Sequence, residues 1–381
     1  MILNLGVNAS RARSGGAIAH LVGLLQEASP EDHGIVRVHV WSYNRLLAAL
    51  PERPWLVKHT ASELGGSLLR QLWWERFSLP QELRQSGCEI LLNVDAGSVC
   101  RFSPAVTISR DMLSYEPGEI DRYSFGKEKL RLIALRYVQN MALRSASGVI
   151  FLTRYAARVI QQSCGPLSSI SYIPHGVGAA FRADPRTNIS DTETPVRCLY
   201  ISNALPYKHQ WHVVDAVALL RRRGLDLQLE LVGGGEGEAQ ARLEATIAVC
   251  DPDRMFVTQR DFVSQKALPE FLAAAHIFIF ASSCENMPNT LIEAMAAGLP
   301  IACSDRGPMP EVLDDGGVYF DPENPESIAT AIADLVNDPA KRIRLASRAM
   351  QLATQYSWRR CSDETLSFVA QTAAQFNTVK P

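Results

Sequence analysis

Short apolar runs rich in β-branched residues alternate with longer stretches of helical periodicity twice over in this chain, and that alternation admits few architectures. Fully apolar runs belong to strands covered on both faces, and helices between successive strands make those strands parallel. In the first half the pattern predicts strands at 2–7, 36–41, 90–93, 106–109, 149–152 and 171–173. In the second half it predicts them at 197–202, 228–232, 255–258, 277–280, 301–303 and 318–320. Between the two series, residues 176–195 are polar, contain glycine and proline, and have no apolar period, so they read as a linker. A length of 381 residues also exceeds what one core usually organises. The expectation is an α/β chain of two parallel-sheet domains, 1–178 and 190–357. A helix at about 358–376 follows the second series and is expected to pack back on the first domain. Such sheets bind ligands outside the carboxyl ends of their strands, and two of them facing across a cleft would place function in the loops after strands.

Composition removes several classes of function. Hydrophobic residues at 47% and charged residues at 20% exclude a disordered or low-complexity chain. Lys and Arg number 38 against 40 acids, a net charge of -2, so no global positive field exists to hold a nucleic acid. The eight cysteines are scattered, with no CxxC pair, and read as buried thiols in a reducing cytoplasm. No basic leader precedes a long apolar stretch, and no apolar run approaches the roughly 18 to 20 residues needed to cross a bilayer. A cytoplasmic protein, neither exported nor membrane-spanning, is the expectation.

The most informative loop follows the apolar strand at 277–280. It runs Glu285-Asn286-Met287-Pro288-Asn289-Thr290-Leu291-Ile292-Glu293 and continues through alanines to Gly298 and Pro300. Pro288 is tolerated in a first helical turn, the alanines favour helix, and Gly298 with Pro300 stops it, so a helix is predicted from about residue 288. Its N-terminal amides and dipole favour phosphate oxygens. Glu285 before the helix and Glu293 inside it can accept from sugar hydroxyls on either side of a diphosphate. The alternative is that Glu285 caps the helix and Glu293 lies on its solvated face.

This stretch resembles the Glu-x7-Glu signature of retaining GT-B glycosyltransferases of family 4, the glycosyl transferases group 1. Glu285 and Glu293 match its two acids. The resemblance implies two Rossmann-like domains, a first acid contacting the donor sugar, a second binding the ribose, and the amides between the two acids holding the diphosphate, with Asn286, Met287, Pro288, Asn289 and Thr290 in the donor site. Lys208, after the strand at 197–202, matches the family's phosphate-binding lysine, whereas Asn203 stands where many members carry an arginine. Gly15 and Gly16 resemble the family's N-terminal glycine loop near the donor phosphates. Phe262 and Val263 fall where related enzymes cradle the nucleobase through backbone groups. Arg110 occupies the place of a histidine on the family's catalytic face, and is assigned a catalytic role beside Glu285 and Lys208, with contact to the donor phosphate, orientation of the acceptor or a structural ion pair with Asp111 as the open alternatives. His175 stands in the asparagine position of the family's I-P-N-G-V segment and reads as a hinge residue.

Other signals are weaker. Gly233 to Gly237 form a glycine turn after a strand, but no glycine stands at 238 to complete a dinucleotide fingerprint. His209 and His212 share a helix face, but no carboxylate or cysteine in the neighbouring sequence completes a zinc set with them. Asp251-Pro252-Asp253 is the one Asp-x-Asp run and is not a motif of the kind that carries a divalent ion in the other large glycosyltransferase fold, so a metal-independent site with no cofactor is expected. Residues 127–144 mix basic and apolar residues at helical spacing, as do Leu68 to Glu75 with two tryptophans. Either segment suits a core or solvated helix, or peripheral contact with the cytoplasmic membrane face.

The resemblance implies retaining transfer of a hexosyl unit, from a GDP-mannose-like donor or a UDP-sugar, to a glycan or lipid-linked saccharide. Bacterial polysaccharide or lipopolysaccharide O-antigen assembly is the expected setting. A GT-B sugar-nucleotide epimerase, a phosphorylase, or a non-catalytic nucleotide-sugar-binding protein are the rival readings.

Overall fold

Every strand pair among the described residues is parallel. The structure, a computed structural model, describes residues 2–13, 15–123, 126–182 and 195–379, so Ser14 and residues 183–194 of the expected linker lie outside it. The chain divides into two compact units, Met1–Gly176 with Tyr356–Pro381, and Val177–Gln355.

The first unit holds seven strands: β1 (Leu3–Asn8), β2 (Ile35–Trp41), β3 (Leu56–His59), β4 (Ile90–Asn93), β5 (Ala105–Ser109), β6 (Gly148–Phe151) and β7 (Ile170–Tyr172). Their order is β3-β2-β1-β4-β5-β6-β7. The second unit holds β8 (Val196–Ile201), β9 (Leu227–Val232), β10 (Val257–Arg260), β11 (Ile277–Phe280), β12 (Ile301–Ser304) and β13 (Val318–Phe320), in the order β10-β9-β8-β11-β12-β13. In each sheet the order reverses beside its first strand, and the loops after that strand and its later neighbour diverge there to leave a crevice.

Burial follows the apolar pattern. All four residues of β11 and of β4 are buried. The central strands carry Leu5, Val7, Leu199 and Tyr200 at 1% exposure or less. Burying each such aliphatic side chain contributes about 1.5–3 kcal/mol. The C-terminal helix Trp358–Val379 lies in the first unit, with Leu366 and Val369 in its core. It approaches so closely that a Cβ on Gly23 would meet the Trp358 ring at 2.4 Å, which explains a glycine inside the helix Gly15–Gln26.

Several predicted boundaries move. The sequence pattern missed β3, whose residues Leu-Val-Lys-His are half-exposed at the sheet edge and carry too little apolar character to register. β10 starts two residues later than predicted and ends on the polar pair Gln259-Arg260, an edge on which Arg260 pairs with Glu230. The helix of the glycine loop begins at Gly15, and the carboxylate-loop helix begins at Asn289 with Pro288 in the cap position. A proline there needs no amide partner.

Candidate functional site

In the second unit the reversal point lies between β8 and β11, which pair Ile277 with Cys198 and Phe278 with Leu199. The loops leaving these two strands are bound to each other. The Ser283 amide donates to the Tyr207 carbonyl at 2.9 Å, the His209 Nε2 and Ser283 Oγ lie 2.9 Å apart, and the Tyr200 hydroxyl donates to the Lys208 carbonyl at 2.8 Å. His209 takes a left-handed φ of 48° at the start of the helix Gln210–Arg222, turning the chain so that its ring meets Ser283. A third loop supports them, since the Ala204 amide donates to the Gly234 carbonyl at 2.7 Å. Gly233, at φ 139°, lies so close that an added Cβ would sit 2.5 Å from the Ser202 carbonyl oxygen. The glycine turn after β9 is thus a brace for the loop after β8.

These loops enclose a cavity of about 260 Å³. Asn203, Lys208, Glu285, Met287, Asn289 and Thr290 all line it, so most of the residues selected from the sequence in this unit converge on one place. Asn286 and Pro288 are buried in the same loop. The Lys208 Nζ donates to Glu285 Oε1, with both side chains about 85% buried. The same ammonium lies 5.2 Å from the Tyr207 ring centroid and 5.7 Å from that of Phe280. The paired carboxylate and two ring faces stabilise the cation where water is scarce.

The helix Asn289–Ala296 points its N-terminus at the cavity through Asn289 and Thr290. Amides of a first turn lack partners within their own helix and favour an anion. Glu293 lies one turn further in and is only 6% exposed, which overturns the alternative of a solvated face. Its Oε1 accepts from Gln265 Nε2 at 3.3 Å, while Oε2 is buried without a hydrogen-bond partner among the described residues. Burial pushes its carboxyl up to about 7, and Gln265 offsets only part of that. An unsatisfied buried carboxylate oxygen costs about 1–3 kcal/mol or more, and a ligand hydroxyl removes that cost. The capping alternative for Glu285 also fails, because its carboxylate is engaged by Lys208 and the helix has no side-chain cap.

Not all the expected residues join this cluster. Phe262 and Val263 follow β10, where Phe262 is 77% exposed, and an added Cβ on Gly234 would come within 3.3 Å of Asp261. Gly15, Gly16 and Arg110 belong to the first unit. There the Arg110 guanidinium donates to the Gly16 carbonyl at 2.8 Å and the Ala17 carbonyl at 3.2 Å, so it holds the glycine loop. Asp111, the neighbour that a structural ion pair would use, accepts instead from the Leu113 amide and Gln139. His20 and His175 lie ring to ring at 4.2 Å, with Trp358 beside both, and burial holds His20 well below its usual pKa. The His175 side chain is buried against these rings, 3% exposed, one residue before the boundary between the two units at Gly176. His209 and His212 stack at 5.6 Å, and no cluster of three or more potential ligands exists among the described residues.

Sequence reasoning passed over Gln265, Ser283 and the buried pair Asn8 and Glu75. Asn8 Nδ2 donates to Glu75 Oε1 at 2.8 Å at the end of β1, and Glu75 also pairs with Arg11 at 3.0 Å. No local spacing marks residues that meet across 67 positions of sequence.

Comparison with known proteins follows the same division. Residues 184–352 match the family described as glycosyl transferases group 1. O-antigen chain mannosyltransferase B of Escherichia coli is 32% identical over 106 residues, covering 28% of this chain and 28% of that protein. The GDP-mannose-dependent alpha-(1-6)-phosphatidylinositol monomannoside mannosyltransferase of Mycolicibacterium smegmatis is 29% identical over 248 residues, covering 59% of this chain and 62% of that protein. The chain therefore spans less than two thirds of the length of these curated relatives. Among solved structures, sucrose-phosphate synthase from Thermosynechococcus elongatus superposes with a TM-score of 0.77 at 17% identity, covering 99% of this chain and 100% of that one. At that identity the likeness speaks for the fold.

Proposed function

From the match of residues 184–352 to the glycosyl transferases group 1 family and the GT-B fold, we propose that this chain transfers a hexosyl unit from a nucleotide-diphosphate sugar to a saccharide acceptor, with retention at the anomeric carbon. One observation carries the reading: Lys208, Glu285 and the N-terminus of Asn289–Ala296 line a single cavity at the β8/β11 reversal, with the half-satisfied Glu293 one turn behind. A cation and a helix end suit a diphosphate, and two carboxylates suit the hydroxyls on its two sides.

In this reading the bond from the anomeric carbon to the phosphate oxygen breaks as the acceptor oxygen bonds to that carbon from the same face. The acceptor proton passes to a phosphate oxygen, leaving a glycoside and a nucleoside diphosphate. Negative charge grows on the departing diphosphate, so Lys208 and the helix amides act more strongly in the transition state than in the ground state. Glu285 orients sugar hydroxyls, and its bond to Lys208 fixes the ammonium. Glu293 takes the ribose hydroxyls, and Asn203, Met287 and Thr290 shape the walls. Phe262 and Val263 flank the base, and the exposed Phe262 ring is suited to stacking. Arg110 is a positioning residue that holds the loop of Gly15 and Gly16 rather than a group at the reacting atoms. The first unit selects the acceptor and the second binds the donor.

GDP-mannose is the donor favoured, because one relative is named for it and another for mannosyl transfer to an O-antigen chain. The acceptor is a glycan or lipid-linked saccharide of bacterial polysaccharide assembly, met at the cytoplasmic face of the membrane. The free state of all eight cysteines fits a reducing compartment. The transfer is proposed to run without a metal ion or cofactor. Incubation of the whole chain with GDP-mannose, UDP-glucose and UDP-N-acetylglucosamine, each with and without lipid-linked saccharide, tests the proposal. Acceptor-dependent release of GDP with the α-linkage kept in the product supports it. Sugar conversion without acceptor, or binding without turnover, would point to an epimerase or a sensor.

A further inference from the structure

A second feature of the first unit stands apart from the donor cavity. The helix Leu68–Trp73 and the wider turn Trp74–Ser78 are pinned from inside. Trp74 is 1% exposed and its Nε1 donates to Glu82 at 2.8 Å, while Glu75 is held by Asn8 and Arg11. That anchoring fixes which side chains face out, and beside Arg70 and Arg76 they include four large apolar ones: Leu68 is 60% exposed, Leu69 78%, Trp73 57% and Phe77 52%. The helix Lys127–Ser145 exposes Leu130, Ile133, Tyr137 and Met141 at spacings of three and four residues, one helical face. A groove of about 430 Å³ runs between the two elements, with Trp73, Phe77, Tyr137 and Met141 on its walls and Arg76 and Arg101 among its lining.

Charge at this face is one-sided. Residues 67–78, 96–103 and 126–145 carry eight Lys and Arg against two acids, in a chain whose net charge is -2. One of those acids, Glu75, is buried in its pair with Arg11. Arg70, Arg76, Arg101, Lys127 and Arg131 have no acidic partner among the described residues. Exposed aromatics and aliphatics within a cationic rim match the two layers of an anionic bilayer, hydrocarbon beneath phosphate. A nucleic acid would use the cations and leave the aliphatic residues in water.

We propose that this face of the first unit docks on an anionic lipid bilayer, with Trp73, Phe77 and Tyr137 entering the interface and the groove receiving one lipid hydrocarbon chain. The inference deepens the reading of a lipid-linked acceptor, since docking would bring the first unit to the plane where that acceptor's saccharide emerges. Its test needs neither donor nor acceptor, so it fails or holds separately from the transfer reaction.

The experiment is flotation of the whole chain with vesicles of phosphatidylcholine containing about 30% phosphatidylglycerol, against pure phosphatidylcholine, at low and high salt. Most of the protein is expected to float with the anionic vesicles at low salt, at least about tenfold less with the neutral ones. Trp73→Glu with Tyr137→Glu should lower flotation by about tenfold while leaving melting temperature and nucleoside diphosphate binding unchanged. Arg76→Gln with Arg101→Gln should weaken binding and flatten its salt dependence. Phospholipid brominated along its chains should quench tryptophan emission in the wild type and much less in Trp73→Phe, a readout free of any folding defect. Absence of flotation at low salt, or flotation indifferent to these substitutions, overturns the proposal. So does a dimer in light scattering that Trp73→Glu dissolves, because the apolar face would then belong to a second copy.

Discussion

Lys208 and Glu285 lie 77 residues apart in sequence and form a direct ion pair at the mouths of β8 and β11. Each loop is placed by its own strand, so the pair exists only because the strand order brings those two strands together. Glu285→Ala should lower transfer by about a hundredfold or more, the scale of losing one charged group at a reacting centre, while nucleoside diphosphate affinity changes little. Lys208→Ala should weaken both, because the ammonium is assigned to the diphosphate in substrate and product alike. Turnover with the correct acceptor, beside calorimetric titration of the diphosphate, separates the two.

Glu293 links the site to stability. Its folded carboxyl titrates near 7, above the ordinary 4.5, so between those values the unfolded chain loses its proton first. Stability therefore falls as pH rises from about 4.5 to about 7 and levels off above that, by about 3 kcal/mol for this group. Glu116, also raised to about 7 by burial, adds a fall of the same sign. The Glu293→Gln variant should be more stable than the wild type at pH 8, with the difference vanishing near pH 4, and should bind nucleoside diphosphate more weakly. Urea melts across that range measure the first, and calorimetry the second.

Two glycines separate fold from function. Gly233→Ala would drive a Cβ against the Ser202 carbonyl at a positive φ, so a loss of about 2–4 kcal/mol is expected in thermal melts. Gly15 has open space where a Cβ would go, so Gly15→Ala should leave stability within about 0.5 kcal/mol. If that loop lies near the donor phosphates, as the family resemblance implies, the same change raises KM.

Arg110→Lys replaces a two-pronged donor with a point charge and cannot keep both the Gly16 and Ala17 carbonyls. A stability loss of about 1–2 kcal/mol is expected, with KM rising more than kcat falls, as suits a residue acting through the loop. An equal fall in kcat and kcat/KM with unchanged stability would instead place Arg110 at the reacting atoms.

What could be read from the sequence was whatever is local. The apolar runs of β4, β11 and β13 and the spacing of Glu285, Asn289 and Glu293 depend on neighbours within ten residues, and their strands end where the pattern ends. β3 and the far end of β10 escaped because edge strands are half-exposed and carry polar residues that read as loop. The burial of Glu293 was also hidden, since a carboxylate in an alanine-rich helix gives no sign of which face is covered. The contacts of Gln265 with Glu293, Arg110 with Gly16 and Asn8 with Glu75 are set by packing between distant segments. No periodicity reports them.

Calorimetric titration of the wild type, Lys208→Ala and Glu293→Gln with GDP, and with UDP for comparison, bears most directly on the donor site. Binding of one nucleoside diphosphate per chain, weakened at least about tenfold by either substitution, is the expected result. No binding of either nucleotide, or binding that both substitutions leave intact, would contradict the placement of a diphosphate between Lys208 and the helix end.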